Sequence, residues 1–127
     1  MRFDHVNLTV VDVVATSTFL KQHFGFTDAF EDNNAGMAVL ADGHGMHINL
    51  MRGANASYPK LFHIGFDMGT EAEVKAMYDR LRADGMEISS LKHAAWGSYT
   101  FHFICPGANF TIEVECAPEE WDERPKQ

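Results

Sequence analysis

Two histidines and one glutamate stand at matching positions of the chain and could together bind a metal ion. His5, His63 and Glu113 each lie in a segment where apolar and polar residues alternate, as in a β-strand with one buried face. Residues two apart in a strand share a face, so the apolar set of each segment predicts which face is buried. All three side chains fall on the opposite face. Two imidazoles and a carboxylate from separate strands suit a divalent metal with open coordination positions.

This set of ligands predicts a divalent ion without identifying it, because Fe(II), Mn(II), Zn, Ni and Co all bind to such sites. No local motif of the H-E-x-x-H kind is present, so the prediction depends on the matching positions. For His5 or His63 alone, a partly buried histidine bonded to the backbone is the simpler interpretation. Both together, in register with Glu113, favour metal ligands.

Further polar residues share these faces and are candidates for a substrate pocket. In the segment 46–51, apolar residues alternate with His47 and Asn49, which places both on the face of the predicted ligands. Asn49 is interpreted as a hydrogen-bonding residue of the pocket wall. His47 could replace a ligand, but a role in the wall is favoured.

The strand-like segment that begins at Tyr99 offers residues for proton transfer and for an aromatic wall. Tyr99 and His102 are candidates to assist Glu113 in catalysis. Phe101 shares the face of Tyr99; it lines the pocket if that face is concave and lies in the core if it is not. Trp96, in the preceding loop, either folds over the pocket mouth or packs on its own half of the chain.

These residues are positioned by elements that occur twice, in the order β-α-β-β-β. The repeat covers about 1–53 and 60–116, which form one domain over 1–117, followed by a charged tail over 118–127. The predicted fold is α+β: two βαβββ modules form a curved mixed sheet with helices on the outside and a concave inner site. One helix covers one face of each module's sheet, so the other face must meet the second module or a ligand.

Caps and alternation predict the bounds of the elements. Asp12 and Gly25 delimit the first helix, and a capping box at Thr70 and then Gly85 delimit the second. The predicted strands run over 2–11, 26–31, 37–41, 46–51, 61–68, 86–91, 99–104 and 110–115.

Size and charge argue against several classes of function. The chain of 127 residues has the length of one domain and carries a formal net charge of −8. This charge disfavours nucleic acid and anionic membranes, which are bound chiefly through Lys and Arg. No stretch approaches the roughly 20 apolar residues of a membrane span. With no signal peptide and only two cysteines, the sequence predicts a cytoplasmic protein with reduced thiols.

Three motifs resemble the marker positions of the vicinal oxygen chelate superfamily: His5 in H-V-N-L-T-V-x-D, His63 in F-H-I-G-F and Glu113 in P-G-A-N-F-T-I-E-V-E. The resemblance extends to about Cys116. The superfamily includes glyoxalase I, methylmalonyl-CoA epimerase, fosfomycin-resistance thiol transferases, extradiol dioxygenases and bleomycin-binding proteins. The resemblance implies a metal that is chelated by vicinal oxygens of a small substrate and that stabilises an enolate, alkoxide or catecholate, or binds O₂. It also implies a site buried between two modules, within one chain or across a dimer.

Two departures from the superfamily pattern bear on the site. Glyoxalase I and the epimerase carry a fourth ligand, usually Glu, Gln or His, at the position of Asn49. Asparagine is a poor ligand for a transition metal, so the sequence is closer to the three-ligand pattern of the fosfomycin enzymes and the extradiol dioxygenases. The usual turn D-P-x-G-N is replaced by residues 105–109, with one residue more before the glutamate. Glu113 and Glu115, on the same face, therefore remain alternatives for the third ligand.

The preferred hypothesis is a divalent-metal-dependent enzyme of lyase, transferase or dioxygenase type that acts on a small oxygen-chelating substrate. The alternative is a metal-free binding protein of the bleomycin-resistance kind, whose acidic, aromatic groove sequesters a cationic or aromatic molecule. A third interpretation is a protein with a dead site, because kinship of fold does not fix function. We expect a homodimer, because a single bent sheet with an uncovered face usually needs a partner.

Overall fold

The computed structural model describes residues 1–118, which divide into two compact units. The first comprises Met1–Pro59 together with Cys105–Asn109, and the second comprises Lys60–Ile104 and residues 110–118. Each unit contains one helix and one open, four-stranded mixed sheet. The predicted α+β fold of two βαβββ modules is confirmed. The predicted tail over 118–127 lies, apart from Pro118, outside the described residues.

The first unit contains a sheet in which the first and last strands of the unit are parallel neighbours. The strand order is β1-β4-β3-β2, with β1 parallel to β4 and the other pairs antiparallel. Its elements are β1 (His5–Val10), α1 (Val13–Phe24), β2 (Thr27–Asp28), β3 (Met37–Ala41) and β4 (His47–Arg52). The predicted strand over 26–31 is thus reduced to two residues.

The second unit repeats this arrangement. The strand order is β5-β8-β7-β6, with β5 parallel to β8 and the other pairs antiparallel. Its elements are β5 (His63–Asp67), α2 (Glu71–Ala83), β6 (Lys92–His93), β7 (Tyr99–Ile104) and β8 (Thr111–Cys116).

Each helix begins at the capping residue that the sequence predicts. The Asp12 carboxylate accepts a hydrogen bond from the backbone N–H of Ala15 at 3.0 Å, and the Thr70 hydroxyl accepts one from Glu73 at 3.1 Å. Gly25 ends α1 in the left-handed conformation, with φ of 73°. No helix within residues 1–118 is long and apolar enough to cross a membrane.

Each sheet buries the face that its helix covers. In the second unit, Val74, Met77 and Leu81 of α2 are buried along one stripe of the helix. Phe101 is fully buried on the facing side of β7, and its ring lies 5.4 Å from that of Tyr78 in an edge-to-face contact. The opposite sides of β1 and β5 are exposed, as the alternation predicts.

The predicted strand over 86–91 is wrong, and the edge strand forms later, at β6. Ser89 lies beside β7, where its N–H donates to the carbonyl of His102 at 2.9 Å. The return hydrogen bond from the N–H of His102 goes to the Ser89 hydroxyl, also at 2.9 Å, and not to a backbone carbonyl. A serine side chain thus replaces one rung of the ladder, which interrupts regular strand pairing.

The connection from β7 to β8 packs against the start of α1 in the first unit. The carbonyl of Gly107 accepts hydrogen bonds from the N–H groups of Val11 and Asp12, both at 2.9 Å. Gly107 has φ of +76°, and a Cβ atom there would lie 2.6 Å from the Asp12 carbonyl oxygen and 2.7 Å from the Thr16 hydroxyl. The position therefore requires glycine for two separate reasons.

We predict that Gly107→Ala destabilises the protein far more than Gly43→Ala. Both positions have positive φ, but a Cβ at Gly43 meets no atom within 4 Å. The left-handed conformation should cost roughly 1 kcal/mol at each, and overpacking should add roughly 1–3 kcal/mol at Gly107. Urea unfolding of the two variants measures the difference, and equal losses would show that the loop can move away.

Cys105 should be inert in the folded protein. Its thiol is 1 % exposed, and burial raises its pKa to about 12. On the order of one thiol in ten thousand is then ionised at pH 8, and the thiolate is the reactive form. In a Cys116→Ser background, we expect a disulfide reagent to label Cys105 only as fast as the protein opens. Rapid labelling of the native protein would contradict this burial.

Candidate metal site

Two of the three predicted ligands face each other on the exposed side of the second sheet. Parallel pairing sets His63 of β5 beside Thr111 of β8, two residues before Glu113. The Nε2 atom of His63 lies 3.7 Å from Oε1 of Glu113. This separation is too long for a hydrogen bond between the two groups. We call this side of the sheet the site face; it carries His63, Asp67, Thr100, His102, Thr111, Glu113 and Glu115.

The other ring nitrogen of His63 is already occupied. Nδ1 lies 3.0 Å from the carbonyl oxygen of Leu61. A carbonyl can only accept a hydrogen bond, so Nδ1 carries the hydrogen and Nε2 of the neutral ring presents a lone pair. In the neutral ring this lone pair faces the Glu113 carboxylate, and either a metal ion or a proton on Nε2 would join the two groups.

The second carboxylate oxygen of Glu113 is occupied as well. The hydroxyl of Thr100 donates to Oε2 at 2.8 Å, which leaves Oε1 as the oxygen that faces His63. Thr100 is 2 % exposed, whereas the Glu113 side chain is 21 % exposed. The carboxylate is thus anchored at its buried oxygen and presents the other one.

His5 shows the same arrangement within the first unit. Its Nδ1 atom lies 2.8 Å from Oδ1 of Asp4. The hydrogen bond from His5, with the charges of that ring and of Arg2, holds the pKa of the Asp4 carboxyl below its usual range. An ionised carboxylate only accepts, so His5 Nδ1 carries the hydrogen and Nε2 is left for another partner.

The donor atoms fit a divalent ion. At metal bond lengths of about 2.1 Å, two ligands of a tetrahedral ion lie about 3.4 Å apart, close to the separation in the His63–Glu113 pair. A ligating histidine usually donates its other ring N–H to a carboxylate or a backbone carbonyl, as both histidines do here. Among residues 1–118, however, the structure groups no three His, Cys, Asp or Glu side chains around one point. It brings together His63 and Glu113, and His5 as a third ligand stays a prediction.

A cleft opens beside the pair within the second unit. Its volume is about 450 Å³, and it is lined by Lys60, Leu61, Phe62, His63, His102, Thr111 and Glu113. His102 is the register partner of Glu113, so its exposed side chain lies next to the carboxylate on the site face. The cleft offers room for a small molecule in contact with both candidate ligands and with a third titratable group.

Three residues predicted for catalysis or for the pocket do not line this cleft. Phe101 is in the core against α2, so its assignment to the pocket wall is wrong for this sheet. Tyr99 shares the core side of β7 and lies against His93, with ring centroids 4.6 Å apart and ring planes tilted by 35°. Trp96 is 55 % exposed in the loop before Tyr99, at the end of β7 remote from Ile104 and His63. The cause is alternation: residues of odd number on β7 point to the helix.

His47 and Asn49 lie on the exposed side of the first sheet, as predicted. Parallel pairing sets His47 directly beside His5, and Asn49 beside Asn7. Both side chains are half-buried, and the apolar residues that alternate with them along β4, Ile48 and Leu50, are buried. Their positions are compatible with a pocket wall, and their role there stays a prediction.

A family model decides the kinship of the chain. The model described as the Glyoxalase/Bleomycin resistance protein/Dioxygenase superfamily matches residues 2–114. The chain belongs to this superfamily. The superfamily includes lyases, transferases and oxygenases, and its members bind small-molecule substrates. No curated protein matches the sequence.

Solved structures of the superfamily share the fold across nearly the whole chain. A possible glyoxalase from Bacillus cereus is 43% identical, covers 91% of this chain and 99% of its own, and has a TM-score of 0.83. Lactoylglutathione lyase from Agrobacterium tumefaciens is 19% identical over 94% of this chain and 96% of its own, with a TM-score of 0.74. A variant of the fosfomycin resistance protein FosX from Listeria monocytogenes, in complex with Mn(II) and 1S,2S-dihydroxypropylphosphonic acid, is 21% identical over 94% of both chains, with a TM-score of 0.74. The last two show the fold alone.

Sequence reasoning missed the groups that hold the candidate ligands in place. These are the Leu61 carbonyl, the Thr100 hydroxyl and the Asp4 carboxylate. Asp4 stands next to His5, but neighbours within a strand point to opposite faces. Asp4 reaches the ring because it precedes the first residue of β1. The position of Thr100, an even-numbered residue of β7 like His102, is the one signal that sequence offered for its contact with Glu113.

Glu115 is the second carboxylate of β8 on the site face and was the alternative ligand. It pairs with Asp67 and Thr100, one step along the sheet from the His63–Glu113 pair. Burial, followed by the charges of Glu113 and Asp67, raises the pKa of Glu115, although His63 opposes the shift. Ionised Glu115 is therefore less favourable in the folded than in the unfolded chain.

We predict that Glu115→Gln stabilises the metal-free protein at neutral pH. A carboxyl whose pKa is raised by folding costs stability above that pKa, and the cost disappears when the pH falls below the unfolded value. The melting temperature of Glu115→Gln should therefore exceed that of wild type at pH 7, and the two should converge near pH 4. A variant that melts below wild type at pH 7 would mean that the glutamate has a stabilising partner.

Proposed function

We propose that this protein is a divalent-metal-dependent enzyme that acts on a small substrate with two neighbouring oxygens. His5, His63 and Glu113 are the proposed ligands. The observation that supports this most directly is common to all three. In each, one polar atom is held by a local partner, and the other is left to face outward or toward a second ligand. Such outer partners fix the tautomer and orientation of metal ligands in general.

The metal would act as a Lewis acid on the two substrate oxygens and stabilise negative charge that develops on them. The remaining work falls to residues of the cleft. His102, beside Glu113, is proposed to accept or donate a proton at its imidazole. Lys60 and Thr111, which line the same cleft, are proposed to orient the substrate through its polar groups. Phe62 and Leu61 supply its apolar wall.

A solved structure of the same fold supports the binding of a metal ion but does not identify the ion that this protein would bind. A FosX variant binds Mn(II) together with a phosphonate diol, in a fold that this chain shares. The ligand set admits Fe, Mn, Zn, Ni or Co. Because Asn49 stands where some relatives carry a fourth ligand, we propose three protein ligands and open positions for substrate. Lyase, transferase and dioxygenase chemistry all fit that description.

The alternative function, a metal-free binding protein for a cationic or aromatic molecule, has lost part of its support. It depended on an aromatic groove, and Phe101 and Phe103 of β7 are buried in the core. The acidic residues of the site face, Asp67, Glu113 and Glu115, still favour the binding of a cationic molecule. A groove that only sequesters a molecule has no need for histidines whose Nε2 atoms are held ready.

The decisive experiment measures metal binding. Chelator-treated wild type should take up about one divalent ion per site when titrated with Mn(II), Zn(II), Ni(II) or Co(II), measured by calorimetry and elemental analysis. His63→Ala, Glu113→Gln and His5→Ala should each weaken binding more than about 100-fold, beyond the 10–100-fold that the loss of an outer partner causes.

The matched control is His44→Ala, which removes an exposed histidine of the loop before β4. It should bind metal like wild type. Binding by wild type no tighter than by the three ligand variants would refute the metal site and return the sequestering function to first place.

The proposed enzyme is a homodimer, and mixing variants tests where His5 acts. His5→Ala and Glu113→Gln proteins, each deficient in metal binding, are mixed and allowed to exchange subunits. If each site takes His5 from the second copy, mixed dimers regain one intact site. If each site uses its own chain, the mixture stays deficient. A monomer by light scattering at all concentrations would contradict the dimer.

A further inference from the structure

The hydroxyl of Thr100 has two possible acceptors and only one hydrogen. Oγ1 lies 2.8 Å from Oε2 of Glu113 and 3.1 Å from the carbonyl oxygen of Val114. The nearer acceptor is a carboxylate, which makes the stronger hydrogen bond when it is ionised. The hydrogen therefore points to Glu113, and the Val114 carbonyl is a second acceptor within reach.

Thr100 is a rigid support for this contact. It is 2 % exposed, so its side chain has no room to turn toward solvent. Threonine is branched at Cβ, which restricts χ1 in a strand. Its own strand is held on both sides, because β7 pairs with β8 and with β6. A buried, stiff donor on a central strand fixes the position of Oε2 better than a surface side chain or a water would.

The register explains why Thr100 reaches Glu113 and not its direct neighbour. Thr100 is paired with Glu115, and Glu113 is paired with His102. The contact from Thr100 to Glu113 is therefore diagonal across β7 and β8, within the distance that side chains span on one face of a sheet. The hydrogen bond holds Oε2 of Glu113 on the side of β7, while His63 lies near Oε1 on the side of β5.

We propose that Thr100 is a positioning residue that makes Glu113 a ligand through a single oxygen. This inference depends on the proposed metal site. With Oε2 bound to Thr100, Oε1 is the oxygen that faces His63, and the hydrogen bond disfavours a rotation of the carboxylate that would bring Oε2 onto the metal as well. The positions left open are then available to the two substrate oxygens. Thr100 contacts neither metal nor substrate and acts only through Glu113.

The test compares three substitutions at this position in the full-length protein. Thr100→Val keeps the shape and removes the hydroxyl, Thr100→Ser keeps the hydroxyl, and Thr100→Ala removes both hydroxyl and bulk. Co(II) is the ion used, because its visible absorption reports coordination as well as affinity. Glu113→Gln is included in the same titration.

We expect Thr100→Val and Thr100→Ala to weaken Co(II) binding about 10–100-fold, as the loss of an outer partner does. Thr100→Ser should bind within about threefold of wild type, since it retains the charge-assisted hydrogen bond. The Co(II) band of Thr100→Val should change in shape and intensity, because the released carboxylate can also bind through both oxygens. The band of Thr100→Ser should match wild type.

Three readouts separate this role from a merely structural one. A structural role would lower the melting temperature of the metal-free Thr100→Val protein and leave the Co(II) band unchanged. Wild-type affinity and spectrum in Thr100→Val, beside a deficient Glu113→Gln, would overturn the positioning role while the proposed metal site stands. Absence of Co(II) binding by wild type, or equal binding by Glu113→Gln, would overturn both. If Thr100→Val does not fold, Thr100→Ala decides in its place.

Discussion

Parallel pairing between the first and last strands of each unit is the constraint on which the candidate site depends. In the second unit it sets His63 beside Thr111, and Gly65 beside Glu113, on the face that α2 does not cover. Because Gly65 has no side chain, nothing on β5 stands directly between the Glu113 carboxylate and the ring of His63. A slip of one residue would send Glu113 to the core and bring Val114 to the open face. Burial of the hydrophobic residues of β8 therefore fixes the register that places Glu113 on the open face.

The same pairing recurs in the first unit with different chemistry around it. His5 lies beside His47 on parallel strands, as His63 lies beside Thr111. The ring of His5 is held by a carboxylate, whereas the ring of His63 is held by a backbone carbonyl. A charged partner makes an imidazole a stronger donor to a metal than a neutral one does. The two halves of the repeat thus have the same backbone pairing and differ in the group that holds the histidine ring.

Alternation in the sequence was sufficient to predict most of the fold and the faces of the candidate ligands. His5, His63 and Glu113 were assigned to open faces because their neighbours are a continuous apolar set, and burial follows that assignment. The side of β7 that faces the core was left open, because the aromatic residues Tyr99, Phe101 and Phe103 could also line a concave pocket. Alternation favours the core for this apolar side, and the packing of Phe101 on Tyr78 agrees with it. Ser89 was misassigned because a side-chain hydrogen bond replaced a backbone one.

The groups that hold the ligands could not be predicted, because each depends on geometry that crosses the sheet or leaves the strand. Thr100 meets Glu113 on a diagonal, and the Leu61 carbonyl reaches His63 from a turn before β5. These contacts matter for function more than the fold does, since one fold serves many reactions.

The charges around the proposed site also limit the substrate. A divalent ion with Glu113 leaves one positive charge, and Asp67 and Glu115 lie on the same face. Of the residues that line the cleft, Lys60 alone carries a fixed positive charge. If the proposed metal site forms, these charges favour a neutral or singly charged chelating substrate over a doubly charged phosphonate.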